Sequence, residues 1–322
     1  MSSSRVPRLA REIVPNAGFD IPVVAYGAGT ALFQKAIEKE VSTALEAGHR
    51  FFDLAEMYGN TASAGDGLRP ALSSGKVDRK DLTILTKITD GQAQLYKTIQ
   101  EEIKALNLPP STGPEAAPFD IVLSHYPPRA NKAKGRPSNI EAWRELERAL
   151  DDGLTRSIGV SNWLADDIEG VYKEGVKHDI AYNQIEFHPL VASTPQYQAL
   201  LPVCKEKGIK IMCYSALVPL TRNLLPEAPA LKEALDKAVA AKPGRTHASV
   251  LLKYARQVTG GTIVTTSSKP QRTAEYLSMF AVEGGEESIA GNDDVLSQAE
   301  IDAITKAGAQ HKECKAWMTE WW

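Results

Sequence analysis

Residues 23–32 read Val23-Val24-Ala25-Tyr26-Gly27-Ala28-Gly29-Thr30-Ala31-Leu32. An apolar, β-branched run that breaks into a glycine turn opens a parallel α/β fold, and the turn separates the two main forms of that fold. A doubly wound open sheet that holds a dinucleotide carries Gly-x-Gly-x-x-Gly here, the third glycine allowing close packing of helix on strand. In this chain the third position is Leu32. The stretch therefore reads as the first strand of a closed sheet.

Outward from it, β-rich runs recur at Arg50–Asp53, Leu82–Lys87, Asp120–His125, Ser157–Ser161, Tyr182–Glu186, Ile209–Tyr214 and Thr262–Thr266. Helical patterns lie between them. Ile37, Val41, Ala44 and Leu45 fall on one helical face, Trp143, Leu146, Leu150 and Leu154 repeat the pattern, and Val250, Leu251, Leu252 and Tyr254 precede the last strand. Gly48, Gly153 and Gly208 stand where helices stop. Eight strand–helix units in 322 residues predict a (β/α)8 TIM barrel, a fold that takes roughly 250 residues. The chain reads as a single domain, 1–322, with a tail from about 309 to 322 that carries Trp317, Trp321 and Trp322.

Composition narrows the function. Hydrophobic residues make up 43% of the chain, and the net charge of −3 lacks the basic excess of a nucleic-acid binder. Three scattered cysteines, Cys204, Cys213 and Cys314, do not make a disulfide framework or a zinc site, so no metal is expected. No leader-like segment and no apolar run of bilayer-spanning length is present, which predicts a cytoplasmic protein without a membrane partner.

In a barrel, chemistry gathers at the C-terminal ends of the strands. Asp53 ends the second strand and Tyr58 follows it; Lys87 ends the third and His125 the fourth. Singly, each has an ordinary reading as a cap, a surface ion pair, a structural histidine or a packed aromatic. On adjacent strands they can converge. Reducing a carbonyl requires a hydride on carbon and a proton on oxygen. A phenol with a reference pKa near 10 is a weak donor, and a neighbouring ammonium makes it a stronger one. Lys87 can tune Tyr58, Asp53 can balance Lys87, and His125 can donate to the carbonyl oxygen. A metal-dependent hydrolase would need clustered ligands, yet of the six histidines only His125 and His188 sit near strand ends.

At these residues the chain resembles the aldo-keto reductase family. Gly48-His49-Arg50-Phe51-Phe52-Asp53-Leu54-Ala55-Glu56-Met57-Tyr58-Gly59-Asn60 is similar to the family's first signature. Thr86-Lys87 and Ser124-His125-Tyr126-Pro127 match its lysine and histidine positions. Gly159-Val160-Ser161-Asn162-Trp163 and Asn183-Gln184-Ile185-Glu186-Phe187-His188-Pro189 resemble its second signature region. The resemblance implies a barrel with an N-terminal β-hairpin and a C-terminal tail over its mouth, working on a small-molecule carbonyl with NADPH, as a monomer or weak homodimer. It also implies nicotinamide contacts from Ser161, Asn162, Gln184 and Tyr214, and further cofactor contacts from Gly29, Thr30, Asp53, Ser215 and Leu217. Thr266, Ser267, Ser268, Lys269, Arg272 and Glu275 would hold the adenosine end and its 2′-phosphate, although such residues before a helix also serve as caps.

Two positions depart from the family. Thr266 stands where many members have lysine, and Tyr126 where many have tryptophan. Substrate contacts are expected from Tyr26, Ala31, Tyr126, Trp163 and Trp317, with the loop Tyr126–Pro137, which carries Arg129, Lys132, Lys134 and Arg136, as a wall. With Thr266, Lys269 and Arg272 in the adenosine-end loop, the chain is similar to the fungal conjugated polyketone and keto-lactone reductases. The apolar and aromatic character of the substrate candidates suggests a small-to-medium apolar or cyclic carbonyl, such as an α-dicarbonyl or keto-lactone. The rival function is an NADPH-binding barrel that senses redox state or regulates a partner with little turnover.

Overall fold

The computed structural model describes residues 9–89, 94–110, 117–128, 138–281, 294–312 and 315–317. Ten strands are formed among them: β1 Arg11–Ile13, β2 Asp20–Pro22, β3 Val24–Gly27, β4 Phe51–Asp53, β5 Thr83–Ile88, β6 Phe119–Ser124, β7 Thr155–Ser161, β8 Tyr182–Glu186, β9 Lys210–Tyr214 and β10 Thr262–Thr265. β3 to β10 are parallel and close in sequence order, β10 pairing with both β9 and β3. The closed barrel expected from the sequence is thus present, with strand positions displaced by no more than two residues.

The helices run α1 Glu38–Ala47, α2 Thr61–Ser73, α3 Leu95–Leu106, α4 Asn139–Asp151, α5 Ala165–Glu174, α6 Pro195–Glu206, α7 Val218–Thr221, α8 Pro229–Ala240, α9 His247–Thr259, α10 Pro270–Ser278 and α11 Gln298–Gly308. Gly48 ends α1 at φ 114°, a left-handed geometry that a side chain would oppose. Leu154, expected on the fourth helical face, lies beyond α4 and leads into β7.

Strand parity sorts the core into two layers. Ala25, Phe51, Leu85, Ile121, Leu123, Tyr182, Met212 and Val264 fill the barrel interior. Val24, Phe52, Ile84, Val122, Ile158, Ile185 and Ile263 face outward into the helix layer. The interior is full: a Cβ on Gly159 would meet Tyr182 O at 2.7 Å and Leu123 Cδ2 at 2.8 Å.

β1 and β2 form the expected antiparallel hairpin. It closes the N-terminal end of the barrel with Val14, Phe19 and Ile21. Glu12 binds Arg256 Nη1 at 2.5 Å, Lys210 Nζ at 3.0 Å and Thr262 Oγ1 at 2.6 Å. At the same end Asp120 accepts from Arg79, Arg156 and the Ile84 amide, each at 2.8 Å. These buried charges lie at strand starts and leave the other end of the barrel for chemistry. No described helix is long and apolar enough to cross a membrane.

Candidate active site

Asp53 is the last residue of β4, buried and aimed across the barrel mouth. Its Oδ1 accepts from Lys87 Nζ at 2.9 Å and from Gln184 Nε2 at 3.0 Å. Lys87, the fifth of the six residues of β5, also donates to Leu54 O at 2.7 Å. Both charges are nearly withdrawn from water, so each depends on the other and on these fixed dipoles.

Tyr58 closes a one-turn 3-10 helix, Glu56–Tyr58, after β4. Gly59, at φ 64°, then redirects the chain into α2. Buried Asn60 donates to Ala28 O at 2.9 Å and Leu32 O at 3.1 Å, and Gln34 N donates to Tyr58 O at 2.8 Å. The tyrosine loop is thereby fastened to the loop after β3. Lys87 Nζ lies 4.9 Å from the centre of the Tyr58 ring, and the His125 ring meets that ring edge-on at 5.8 Å.

Burial pushes the Tyr58 phenol above its ordinary value; Lys87 opposes this and Asp53 adds to it. Lys87 acts in the expected direction, but desolvation outweighs it. Burial by itself would lower Lys87, yet Asp53 and Tyr58 hold it above the usual range, so it stays cationic. His125 is pushed well below its ordinary value by burial and then by Lys87, which leaves a neutral imidazole. A neutral histidine can donate one hydrogen bond without a net charge.

Two confluent cavities meet at this cluster. A pocket of about 350 Å³ is lined by Phe33, Met57, Tyr58, His125 and Trp317 together with Thr30, Ser161, Asn162, Gln184 and Tyr214. A cleft of about 450 Å³ runs from Asp53, Tyr58 and Gln184 past Gly27, Gly29, Thr30, Ala31 and Tyr214–Val218 to Thr265 and Thr266. Three non-glycine residues that border the two cavities, Thr30, Asn162 and Ser215, sit at φ 48°, 61° and 59°. Such strain gathers where a ligand is held.

The residues fit an extended nucleotide. Gly29 leaves no room to spare, since a Cβ there would meet Tyr58 Cζ at 2.9 Å. Asn162, Ser161 and Gln184 offer amide and hydroxyl groups at the pocket floor. They bond to one another and to their neighbours: Tyr214 OH donates to Asn162 Oδ1 at 2.8 Å, and Asn162 Nδ2 donates to His125 O at 3.0 Å. Beyond the cleft, Ser268, Lys269, Arg272 and Glu275 are exposed around the start of α10. Neither Lys269 nor Arg272 has an acidic partner among the described residues, which leaves two free cations beside a helix N-terminus.

Several expected contacts lie elsewhere. Tyr26 follows the outward parity of β3, packs against His49 and Phe52, and donates its hydroxyl to Ser267 O at 3.0 Å. It supports the loop after β10 from behind and is not a wall of the pocket. Trp163 is fully buried under the barrel rim, with Asn183 Nδ2 on its carbonyl. Tyr126 stacks obliquely beside His125 but lines neither cavity. Ala31 borders the cleft, and Trp317 borders both cavities. Arg129, Lys132, Lys134, Arg136, Cys314, Trp321 and Trp322 lie outside the described residues.

Phe33, Met57 and Arg222 border the cavities and escaped the sequence reading. The apolar pair stands exposed in the loops that follow β3 and β4, and apolar residues in such loops were the available signal. Among the described residues no three His, Cys, Asp or Glu side chains cluster as a metal site would require.

The family model described as the aldo/keto reductase family matches residues 25–296. An NAD/NADP-dependent indole-3-acetaldehyde reductase of Schizosaccharomyces pombe is 32% identical, over 93% of this chain and 96% of that protein. An NADH-dependent D-xylose reductase of Candida parapsilosis is 29% identical, over 89% and 91%. A Bombyx mori aldo-keto reductase, solved in complex with NADP, superposes with a TM-score of 0.73 at 28% identity, covering 96% of this chain and 94% of that one. The match extends from β3 through the loop before α11 and includes every strand-end residue described above, and the chain belongs to the aldo/keto reductase family.

Proposed function

We propose that the protein reduces an aldehyde or ketone to the alcohol with NADPH, Tyr58 giving the proton to the substrate oxygen. The observation that carries this reading is the position of Tyr58 on both cavities, with Asp53 on the cleft, His125 on the pocket and buried Lys87 4.9 Å from the Tyr58 ring. Bound NADPH would supply the hydride to the carbonyl carbon. Ser161, Asn162 and Gln184 would hold its carboxamide, Tyr214 its ring face, and the Thr266–Arg272 loop its adenosine phosphate.

Tyr58 keeps its proton because burial raises its pKa. As negative charge grows on the substrate oxygen, Lys87 stabilises the phenolate left behind, and Asp53 keeps Lys87 charged and in place. Neutral His125 donates to the oxygen and sets its direction. Phe33, Met57 and Trp317 give the pocket an apolar wall, which favours apolar or cyclic carbonyls, with α-dicarbonyls and keto-lactones as the first candidates. We take the working form to be a cytoplasmic monomer or weak homodimer, which sedimentation would test.

The test is loss of NADPH absorbance against a panel of aldehydes, α-diketones and keto-lactones, repeated with NADH. Oxidation that requires both carbonyl and NADPH supports the reading. Tight NADPH binding without turnover on any carbonyl would overturn it in favour of a sensor.

A further inference from the structure

Glu186, the last residue of β8, is fully buried at the mouth of the barrel and takes no part in the cluster around Tyr58. Among the described residues no lysine or arginine pairs with it. Its partners are His188 Nε2, 3.0 Å from Oε1, and two amides of the C-terminal tail: Ala316 N donates to Oε1 at 2.8 Å and Trp317 N to Oε2 at 3.0 Å. A carboxylate in this position is costly to desolvate, and successive backbone amides are what offset that cost. The tail, in turn, is pinned at the residue whose ring borders both cavities. On the cleft side, the Arg222 guanidinium lies 5.4 Å from the centre of the Trp317 ring, and Arg222 itself borders the cleft.

Resting on the reading of the pocket and cleft as carbonyl and NADPH sites, we infer that Glu186 is a positioning residue that fixes Trp317 as a wall shared by the two sites, with Arg222 linking that wall to the nucleotide. Specificity for large carbonyls and retention of NADPH then depend on one carboxylate that touches neither ligand. A small aldehyde, which does not reach the wall, is indifferent to it.

The experiment is steady-state kinetics on a small and a bulky aromatic aldehyde, with NADPH affinity from fluorescence titration, for Glu186→Ala, Glu186→Gln, Trp317→Ala and the Glu186→Ala/Trp317→Ala double variant. Glu186→Ala is expected to raise the KM of the bulky aldehyde about tenfold and to weaken NADPH, with kcat for the small aldehyde within about threefold of the parent. Glu186→Gln, which keeps one acceptor oxygen, recovers part of the loss. Trp317→Ala gives the same KM shift, and adding Glu186→Ala to it changes nothing further. Shifts that multiply in the double variant, or an equal fall in kcat for both aldehydes at unchanged KM, would overturn the proposal.

Should Glu186→Ala not fold, Arg222→Ala carries the test: it raises the bulky-aldehyde KM and the NADPH dissociation constant together in the parent, but not in Trp317→Ala. Effects independent of Trp317 would overturn the link. Turnover that survives Tyr58→Phe would remove the acid assignment alone, since the KM pattern of the tail variants is read separately from it.

Discussion

Lys87 Nζ lies 2.9 Å from Asp53 Oδ1, and both side chains are sealed beneath the barrel mouth. One charge cannot be removed without stranding the other. Lys87→Met is expected to destabilise the fold by about 3–5 kcal/mol and to lower turnover on the order of a hundredfold. Adding Asp53→Asn should recover part of the stability and none of the turnover. Urea unfolding and steady-state rates measured on the parent and the two variants check this, and a double variant that regained activity would contradict the roles assigned to the pair.

Arg272 is exposed beside the start of α10 and has no acidic partner among the described residues. Arg272→Ala should raise the KM for NADPH about tenfold while leaving that for NADH nearly unchanged. The NADPH effect should shrink at high salt, because an exposed cation is screened. Equal losses for the two cofactors would mean that Arg272 does not read the 2′-phosphate.

His49 sits behind β3 against Tyr26, and burial lowers its pKa from 6.5 to about 4. The unfolded chain therefore binds this proton more readily than the folded one between those values. Stability is fully present above pH 6.5 and is lost progressively as the pH falls towards about 4, by up to ~3 kcal/mol from this residue. Thermal unfolding followed across that range should show a shallower acid loss for His49→Phe than for the parent. Parallel curves would exclude His49 as a source of acid lability.

Asp120 gathers Arg79, Arg156 and a strand amide at the opposite end of the barrel from Tyr58. Asp120→Ala leaves two buried or half-buried guanidinium groups facing each other, and about 3–5 kcal/mol of stability should be lost. The KM and kcat of the folded fraction should match the parent. A selective loss of activity would break the separation between a stabilising end and a catalytic end.

The barrel was legible because apolar β-rich runs recur between helical patterns, and several of them pass into polar residues at their C-terminal ends, a contrast that Phe51-Phe52-Asp53 and Val122-Leu123-Ser124-His125 display. The cluster followed from strand adjacency alone. Tyr26 shows where that reasoning stopped short. Ala25 and Gly27 face the barrel interior, so parity turns Tyr26 outward, and strand alternation alone carried that information. Phe33 and Met57 lie in loops, where no periodicity applies and the path is set by the Asn60 bonds and 3-10 turns. The upward shift of Tyr58 was equally hidden, because a sequence shows its charged neighbours but not how completely they are desolvated together.

The central claim is that Tyr58 is the proton donor in carbonyl reduction. Its most direct test is Tyr58→Phe, assayed for NADPH affinity by fluorescence and for NADPH oxidation with the best carbonyl of the panel. The account predicts unchanged affinity and a rate reduced by about 10²–10⁴-fold. Turnover near that of the parent would contradict it and move the acid to another group.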